Sequence, residues 1–294
     1  MNRRTFIGTS IATALVTSRP VWAADAAHHL DRIGLQLYTV RELMKQDFEG
    51  TLAKVAQIGY REIEFAGYFG KSPEQARATL DRNGLASPSE HVAYDVVEKK
   101  WPETLEAAHV IGQKYIVCPW IEESQRKQPD GWKRAADLFN HAGEASQKAG
   151  IQFAYHNHAF EFLPSDALGG KLPYDFLLAE TDPKLVKMEM DLCWITVGGH
   201  DPIAYFDRYP GRFPLVHVKD WAKNGPVGDT HAAEVGHPVP EGHMANVGSG
   251  SIDWKHIFAQ SAKGGIKHYF VENDEAKSLD DPRSSYEYLA KLQF

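Results

Sequence analysis

The sequence predicts an α/β fold, a closed (β/α)8 barrel in which eight strand and helix units alternate. Three observations carry this prediction: the alternation of short apolar runs with amphipathic ones, their number, and the glycine that follows many of the amphipathic runs. Strands that alternate with helices pair in parallel, and eight such units fit a chain of ~250 residues. The eight runs with strand character are 33–38, 62–66, 87–91, 115–119, 152–156, 186–192, 215–219 and 268–272.

Helical patterns lie between these runs, and four of them are clear. They cover 48–58, 73–83, 104–111 and 132–149, and a glycine closes each of them. The later helices are expected at 174–179, 202–205 and 253–262. The alternative fold, an open doubly wound sheet, would need a Gly-rich phosphate loop after an early strand, but Tyr38-Thr39-Val40-Arg41 stands there.

The longest segment without periodicity is 221–250, which is rich in glycine and holds His231, His237 and His243. Long loops of this kind are usually lids or binding elements. Because the segment follows the seventh strand, we expect it at the face where barrel enzymes carry their active sites.

The net charge limits which kinds of molecule the protein can bind. With 32 Lys+Arg against 39 Asp+Glu the formal net charge is -7, which repels nucleic acid. A small uncharged carbohydrate or a metal ion is easier to accommodate, and the sequence is compatible with a homo-oligomer.

The N-terminus has the features of a targeting segment. Arg3 and Arg4 precede a short apolar stretch and small residues at 23–24, so residues 1–24 look like a twin-arginine export signal. We therefore expect a periplasmic protein, with a single barrel domain over 30–294 and no membrane attachment after cleavage. A basic disordered tail on a cytosolic enzyme is the alternative. Cys118 and Cys193 are expected to be buried free thiols, although sequence alone leaves a bridge between them open.

Polar residues collect at the carboxyl ends of four predicted strands. Side chains alternate across a strand, so Asp191, His217 and Glu272 face the barrel axis together with Glu189 and Lys219. Inward carboxylates need a counter-charge in a closed barrel. One divalent ion supplies it, and oxygen ligands with imidazole suit Mn, Co, Mg or Zn. Ion pairs of Lys219 with Glu189 or Glu272 are the alternative.

The fourth ligand is expected from the fifth strand, where His156 is favoured over Glu161 because it lies on the strand itself. Groups left over would serve as acid and base, and the catalytic candidates are Glu161, His158 and Lys219. Other strand ends offer substrate-binding candidates, each of which could instead be core or loop packing. These are Gln36, Tyr38, Glu64, His91 and Trp120.

With these residues in place, the chain resembles the sugar phosphate isomerase/epimerase family, the xylose-isomerase-like barrels that include relatives of AP endonuclease family 2. The motifs that carry the resemblance are 33–38, 59–64, 155–161, 217–220, 248–254 and 271–274. The resemblance implies a metal centre on Asp191, His217 and Glu272. It also implies a glutamate near position 156, where this chain has histidine.

The resemblance implies a metal-dependent isomerase or epimerase that removes a proton next to a carbonyl. The strand ends carry no cluster of Arg or Lys and no phosphate loop, so a non-phosphorylated sugar or keto-sugar is expected. A 3-keto-glycoside lyase or hydrolase is the nearest alternative. A non-catalytic periplasmic sugar-binding protein is the alternative from another class.

Overall fold

Eight parallel strands close into a barrel in the computed structural model, which describes residues 28–223 and 242–294. Around the barrel the strands lie in their order along the chain, and the last of them pairs with the first, which closes the ring. The predicted barrel is therefore confirmed. The strands are β1 Gly34–Gln36, β2 Glu62–Phe65, β3 Ala86–His91, β4 Tyr115–Cys118, β5 Gln152–His156, β6 Val186–Asp191, β7 Leu215–Val218 and β10 His268–Val271.

Helices cover the outside of the barrel. Those predicted from periodicity at 48–58 and 73–83 are found with the same bounds. The helix that begins at Pro73 has a full capping box, in which Ser72 and Gln75 bond each other's backbone N–H. The helices of the described residues are Arg41–Gln46, Phe48–Ile58, Pro73–Asn83, Tyr94–Lys99, Trp101–Ile111, Glu123–Arg126, Gly131–Lys148, Pro173–Glu180, Leu192–Val197, Pro202–Arg208, Trp254–Phe258, Ser261–Gly264 and Asp280–Leu289.

The barrel interior is apolar at its lower level. Tyr115, Val117, Ala154, Leu215 and Phe270 form one buried cluster there. Because the strands are parallel and nearly in register, the next inward positions form a second level above it. That second level is polar.

Strand pairing fixes which polar residues become neighbours. His156 is paired with Glu189, and Asp191 with His217. Phe270 is paired with His217, so Glu272 lies one inward position above that pair. The alternation that the sequence predicted for strands six, seven and eight is the one observed.

A two-stranded sheet follows the seventh barrel strand and was not predicted. β8 Asp220–Ala222 pairs antiparallel with β9 His243–Ala245. Strands of three residues are too short to show periodicity, which is why the sequence showed only an irregular segment. The predicted export signal 1–24 and two histidines of the segment, His231 and His237, lie outside the described residues.

Both cysteines are free and buried. Cys118 ends β4, while Cys193 lies in the helix Leu192–Val197. The expectation of buried free thiols is confirmed. Among the described helices, none has the length and apolar character that crossing a membrane requires.

Candidate metal centre and its cavity

Asp191, His217 and Glu272 meet at the carboxyl ends of neighbouring strands. Each offers one ligand atom, and the three atoms lie within 4.8 Å of one another. Nδ1 of His217 is 2.6 Å from Oε2 of Glu272, and all three residues are buried. The structure thus brings together the three residues that the sequence analysis selected as metal ligands.

A second group of potential ligands lies next to the first and shares His217. It contains His91, His156 and Glu189. Oε2 of Glu189 is 2.7 Å from Nε2 of His91 and 3.1 Å from Nδ1 of His156. The other ring nitrogen of His156 lies 3.8 Å from Oδ2 of Asp191, so this imidazole stands between the two groups.

The chemistry of these residues fits a divalent cation. Oδ1 of Asp191 accepts the N–H groups of Cys193 and Trp194 and thereby caps the helix that follows β6. Among the described residues, Oε1 of Glu189 is buried without a hydrogen-bond partner, and Oδ2 of Asp191 is buried 3.2 Å from the Lys219 ammonium without forming a hydrogen bond of good geometry. Several buried carboxylates in one place are costly unless cations balance them, and Lys219 is a single cation. Oxygen and imidazole donors are also the set that Mn, Co, Mg or Zn accepts.

The Lys219 ammonium compensates part of this negative charge. Its Nζ lies 2.9 Å from Oε2 of Glu272, 3.2 Å from Oδ2 of Asp191 and 3.2 Å from Oδ2 of Asp274. It also lies 5.4 Å from the ring centre of Trp194. The ion pair with Glu272 that formed part of the alternative interpretation is therefore present, beside the cluster of ligands.

Burial and neighbouring charges together shift the pKa values of these groups. Burial alone would lower the pKa of Lys219, but Asp274, Glu272 and Asp191 together raise it well above its usual range. Burial raises the pKa of Asp191 to about 6, although Lys219 and His217 oppose the shift. Burial and the neighbouring His217 hold the pKa of His156 well below its usual range. The His156 imidazole is therefore neutral near pH 7, the form in which histidine binds metals.

An open cavity of about 460 Å³ lies above the cluster. Tyr38, His91, Trp120, His158, Lys219 and Asp274 line it, together with His156 and Glu272. The His158 ring stands edge-on to Trp120 at 4.8 Å between ring centres. A volume of this size accommodates a small ligand such as one sugar ring.

Comparison with known proteins identifies the family. Residues 52–291 match the model of the xylose isomerase-like TIM barrel family. The chain belongs to this family.

Several relatives of this family align with nearly the whole chain. An inosose dehydratase of Lacticaseibacillus casei is 25% identical over 272 residues, which are 84% of this chain and 87% of that one. The crystal structure of a sugar phosphate isomerase/epimerase from Parabacteroides distasonis superimposes with a TM-score of 0.70 at 28% identity and covers 89% of this chain and 98% of that one. A 3-keto-D-glucoside 4-epimerase from E. coli, 17% identical with a TM-score of 0.64 over 89% of this chain and 99% of that one, shares the fold. The resemblance found in the sequence is thus confirmed.

Two of the five predicted substrate-binding residues lie beneath the cavity and do not line it. Oε2 of Glu64 is 2.7 Å from Nε2 of His217 and accepts a hydrogen bond from Gln36 Nε2 at 2.8 Å. Oε1 of Glu64 accepts the Ser89 hydroxyl at 2.5 Å. Gln36 and Glu64 are fully buried, and their contacts place Glu64 behind the His217 ring, with Gln36 behind Glu64.

Glu161 also lies apart from the metal cluster. Its carboxylate accepts the Tyr155 hydroxyl at 2.6 Å and the backbone N–H of His158 at 2.9 Å. Tyr155 precedes the inward His156 and therefore points to the helix layer, where it stacks on Phe139. The alternative in which Glu161 swings toward the metal is not what this geometry shows, because its oxygens accept hydrogen bonds within β5 and the loop after it.

Three further residues that the structure places in or beside the site were not predicted as site residues. Glu189 was recognised as inward but not as a ligand, Asp274 was part of the motif 271–274 without a role, and Ser89 was not considered. Asp274 follows Glu272 by two residues, which is a signal that strand alternation could have given. The hydroxyl of Ser89 required knowledge of where Glu64 points.

Proposed function

We propose that this chain is a metal-dependent carbohydrate enzyme that removes a proton from the carbon next to a carbonyl of a non-phosphorylated sugar or keto-sugar. The observation that carries the proposal is the buried cluster of Asp191, His217 and Glu272, which lies below a cavity of sugar size. These three residues would hold the ion, and His156, whose Nε2 lies 3.8 Å from Oδ2 of Asp191, would be the fourth ligand. When bound, a divalent ion polarises a carbonyl and makes the neighbouring C–H more acidic.

The residues that line the cavity supply the proton chemistry. Lys219 stays protonated, because three carboxylates surround it, and its ammonium can donate to an oxygen that gains charge. Burial raises the pKa of Asp274, against the effect of Lys219, which makes this carboxylate a better proton acceptor than an exposed one. His158 is the second acid or base, since its ring also faces the cavity.

The cavity favours an uncharged substrate. Among the described residues that line it, Lys219 is cationic and already paired with three carboxylates. His91 also lines it, and although burial opposes the shift, Glu64 and Glu189 raise its pKa to about 9 and are both paired with it. A phosphate group would meet Glu122, Glu272 and Asp274 without a free counter-charge. Trp120 and Tyr38 offer aromatic faces, on which a sugar ring can stack.

Elimination is the second candidate reaction after proton removal next to the carbonyl. The aligned relatives include several named inosose dehydratases, and the chain covers most of their length. Loss of water begins with the same proton abstraction, and a protonated group such as Lys219 or His158 then assists the leaving hydroxyl. A 3-keto-glycoside lyase would use the same two steps with a sugar or aglycone as the leaving group. A hydrolase would then add water to the double bond that elimination leaves.

The deciding experiment is a substrate panel in deuterium oxide with the metal-loaded protein. Free sugars, 3-keto-sugars, inososes, 3-keto-glycosides and sugar phosphates are incubated and followed by NMR and mass spectrometry. Deuterium next to the carbonyl with no other mass change supports an isomerase or epimerase, and loss of water or of an aglycone supports elimination. Binding with neither turnover nor deuterium uptake would show a sugar-binding protein. A strict need for a phosphorylated sugar would contradict the proposal.

Export is a separate proposal. We propose that residues 1–24 direct the protein to the periplasm through the paired arginines. Cell fractionation of the wild type and of an Arg3→Lys, Arg4→Lys variant tests it. Both proteins staying in the cytoplasmic fraction would contradict it.

A further inference from the structure

A second cavity lies beside the metal centre, between the segments that follow β4 and β5. Its volume is about 450 Å³. The walls are largely apolar, and a single buried cation lines it. The principal lining residues are Arg126, Trp132, Phe160, Leu163, Pro164 and Pro173.

Arg126 is a buried guanidinium that no carboxylate of the described residues contacts directly, although the buried Glu161, whose pKa burial raises, lies near enough for the charge of Arg126 to lower that pKa in part. Only 6% of the residue is exposed. Across the described ranges 28–223 and 242–294, no carboxylate oxygen lies within 4.0 Å of it, and its Nη1 is buried without a hydrogen-bond partner. Guanidinium carries five N–H donors, and burying such a charge without a counter-ion is costly. The neighbouring Lys127 does not share this situation, because it is exposed and pairs with Glu123 at 2.7 Å.

The guanidinium of Arg126 lies over the faces of two aromatic rings. Its guanidinium carbon lies 3.7 Å from the ring centre of Phe160 and 5.0 Å from that of Trp120. Stacking of this kind uses the flat faces of the guanidinium and leaves the N–H groups along its edges available. Those edges match the two oxygens of a carboxylate in a bidentate pair.

We propose that this second cavity binds the carboxylate of a small aromatic or apolar acid, with Arg126 as its counter-ion. One guanidinium and apolar walls suit a monoanion with a hydrophobic body, whereas a phosphate calls for more donors than this cavity offers. The exposed Glu123 and Asp166 at the rim disfavour a ligand of higher negative charge. The inference does not depend on the reaction at the metal centre.

The two cavities share a wall, so a ligand bound at Arg126 should disturb a residue that also lines the cavity above the candidate metal ligands. Trp120 lines the cavity above the metal cluster. Its ring also packs edge-on against Phe160 at 5.0 Å between centres, and Phe160 lines the second cavity. A bound acid should therefore change the tryptophan fluorescence of the protein.

The test measures binding of benzoate, benzamide and inorganic phosphate to the metal-loaded protein by calorimetry and fluorescence. We expect saturable binding of benzoate, and at least about tenfold weaker binding of benzamide, which has the same ring without the charge. Arg126→Met retains the aliphatic stem and should weaken benzoate binding by at least about tenfold. Arg134→Gln is the matched control, since Arg134 is exposed and paired with Asp130 in the same region, and it should bind benzoate as the wild type does.

Several results would overturn the proposal: no saturable benzoate binding up to about 10 mM, equal affinity for benzamide, or tighter binding of phosphate. Undiminished benzoate binding by Arg126→Met would do so as well. If that variant does not fold, judged by circular dichroism, Arg126→Lys replaces it. Lysine keeps the charge but not the bidentate edge, so benzoate binding should fall several-fold, and an unchanged affinity would count against the carboxylate pairing.

Discussion

Asp191 uses its two carboxylate oxygens for different purposes. One oxygen accepts two backbone N–H groups at the start of a helix, which fixes the rotation of the side chain. The other is thereby held at the cluster without a hydrogen bond. The same residue thus ends β6, starts the next helix and presents a ligand atom whose position is set before any ion arrives.

His217→Ala is expected to abolish metal binding and turnover. The imidazole lies between Glu272 at Nδ1 and Glu64 at Nε2, so its loss removes a ligand and leaves both carboxylates without this partner. Metal content is measured by elemental analysis after gel filtration. His268→Ala is the control, because His268 pairs with Glu62 at the lower end of the barrel and its removal should leave the metal in place. Full metal occupancy in His217→Ala would contradict the assignment.

Lys219→Met is expected to separate metal binding from catalysis. Removing the ammonium leaves Asp191, Glu272 and Asp274 without this cation, so metal affinity should be kept or increased. The kcat should fall by roughly 10²- to 10⁴-fold, the range for loss of a general acid or base. Metal titration and steady-state kinetics on the substrate found in the panel test this. An unchanged kcat would exclude Lys219 from the proton chemistry.

Glu161→Gln is expected to alter the pH dependence of stability and to leave metal content unchanged. Burial raises the pKa of Glu161 from 4.5 to about 7, against the hydrogen bond from Tyr155. The folded state therefore holds this proton more tightly than the unfolded state, so its stabilising effect is present below about pH 4.5 and is lost as the pH rises to about 7.

The slope from one such group is at most about 1.4 kcal/mol per pH unit. Urea unfolding of wild type and Glu161→Gln at several pH values between these limits measures the difference. A difference in unfolding free energy that does not change with pH would show that Glu161 does not titrate there. Loss of metal in the variant would instead restore Glu161 as a ligand.

Strand alternation predicted which residues face the barrel axis but not which of them contact one another. It placed Asp191, His217 and Glu272 on one inward face, because the side-chain period of a strand is fixed. It could not tell that Glu64 contacts His217 or that Gln36 bonds Glu64, since this depends on contacts between strands far apart in sequence. The role of Glu161 was missed for the same reason, because its partner Tyr155 points to the opposite side of β5.

At the scale of elements, Asp220 fastens the segment after β7 to the barrel. Its Oδ1 accepts the backbone N–H of Trp221 and of Ile252, and its Oδ2 accepts those of Gly248 and Gly250. The indole N–H of Trp254 donates to Oδ2 as well, at 3.0 Å. A side chain at Gly250 would collide with the Asp220 carboxylate, which explains the small residue in this motif.

Asp220→Ala is expected to cost about 3–5 kcal/mol of unfolding free energy, because five donors, two in buried and three in partly buried hydrogen bonds, lose a charged acceptor. Chemical denaturation measures it. The control is Asp253→Ala, which removes an exposed helix cap bonded to His256 N–H and should cost about 1 kcal/mol. Equal costs for the two variants would show that the segment is not held by Asp220.

Sequence patterns predict a strand or helix only when its side-chain period repeats several times. The barrel strands and the long helices were predicted within one to three residues at most ends, because each carries a period that repeats several times. The sheet of β8 and β9 depends on pairing between two short segments separated by the loop between them, and neither has enough residues to show alternation.

For the molecule as a whole, the candidate metal centre lies where separate parts of the barrel meet. Its candidate ligands come from β6, from β7 and from the residue after β10, and β10 closes the barrel by pairing with β1. An ion bound there joins segments that are distant in the chain. Binding should therefore stabilise the whole fold and not one loop.

Addition of Mn²⁺, Co²⁺ or Zn²⁺ to metal-free protein is expected to raise Tm, and excess chelator should reverse the change. An ion at 100 times its Kd adds about 2.7 kcal/mol to the free energy of unfolding, which corresponds to a rise of roughly 5–10 °C for a domain of this size. Differential scanning calorimetry at several metal concentrations measures it. His268→Ala should show the full rise, whereas Glu272→Gln should show little, since it lacks the ligand carboxylate from the end of β10. A full rise in a triple variant of Asp191, His217 and Glu272 would place the ion elsewhere, and the group of His91, His156 and Glu189 would then be the site to test.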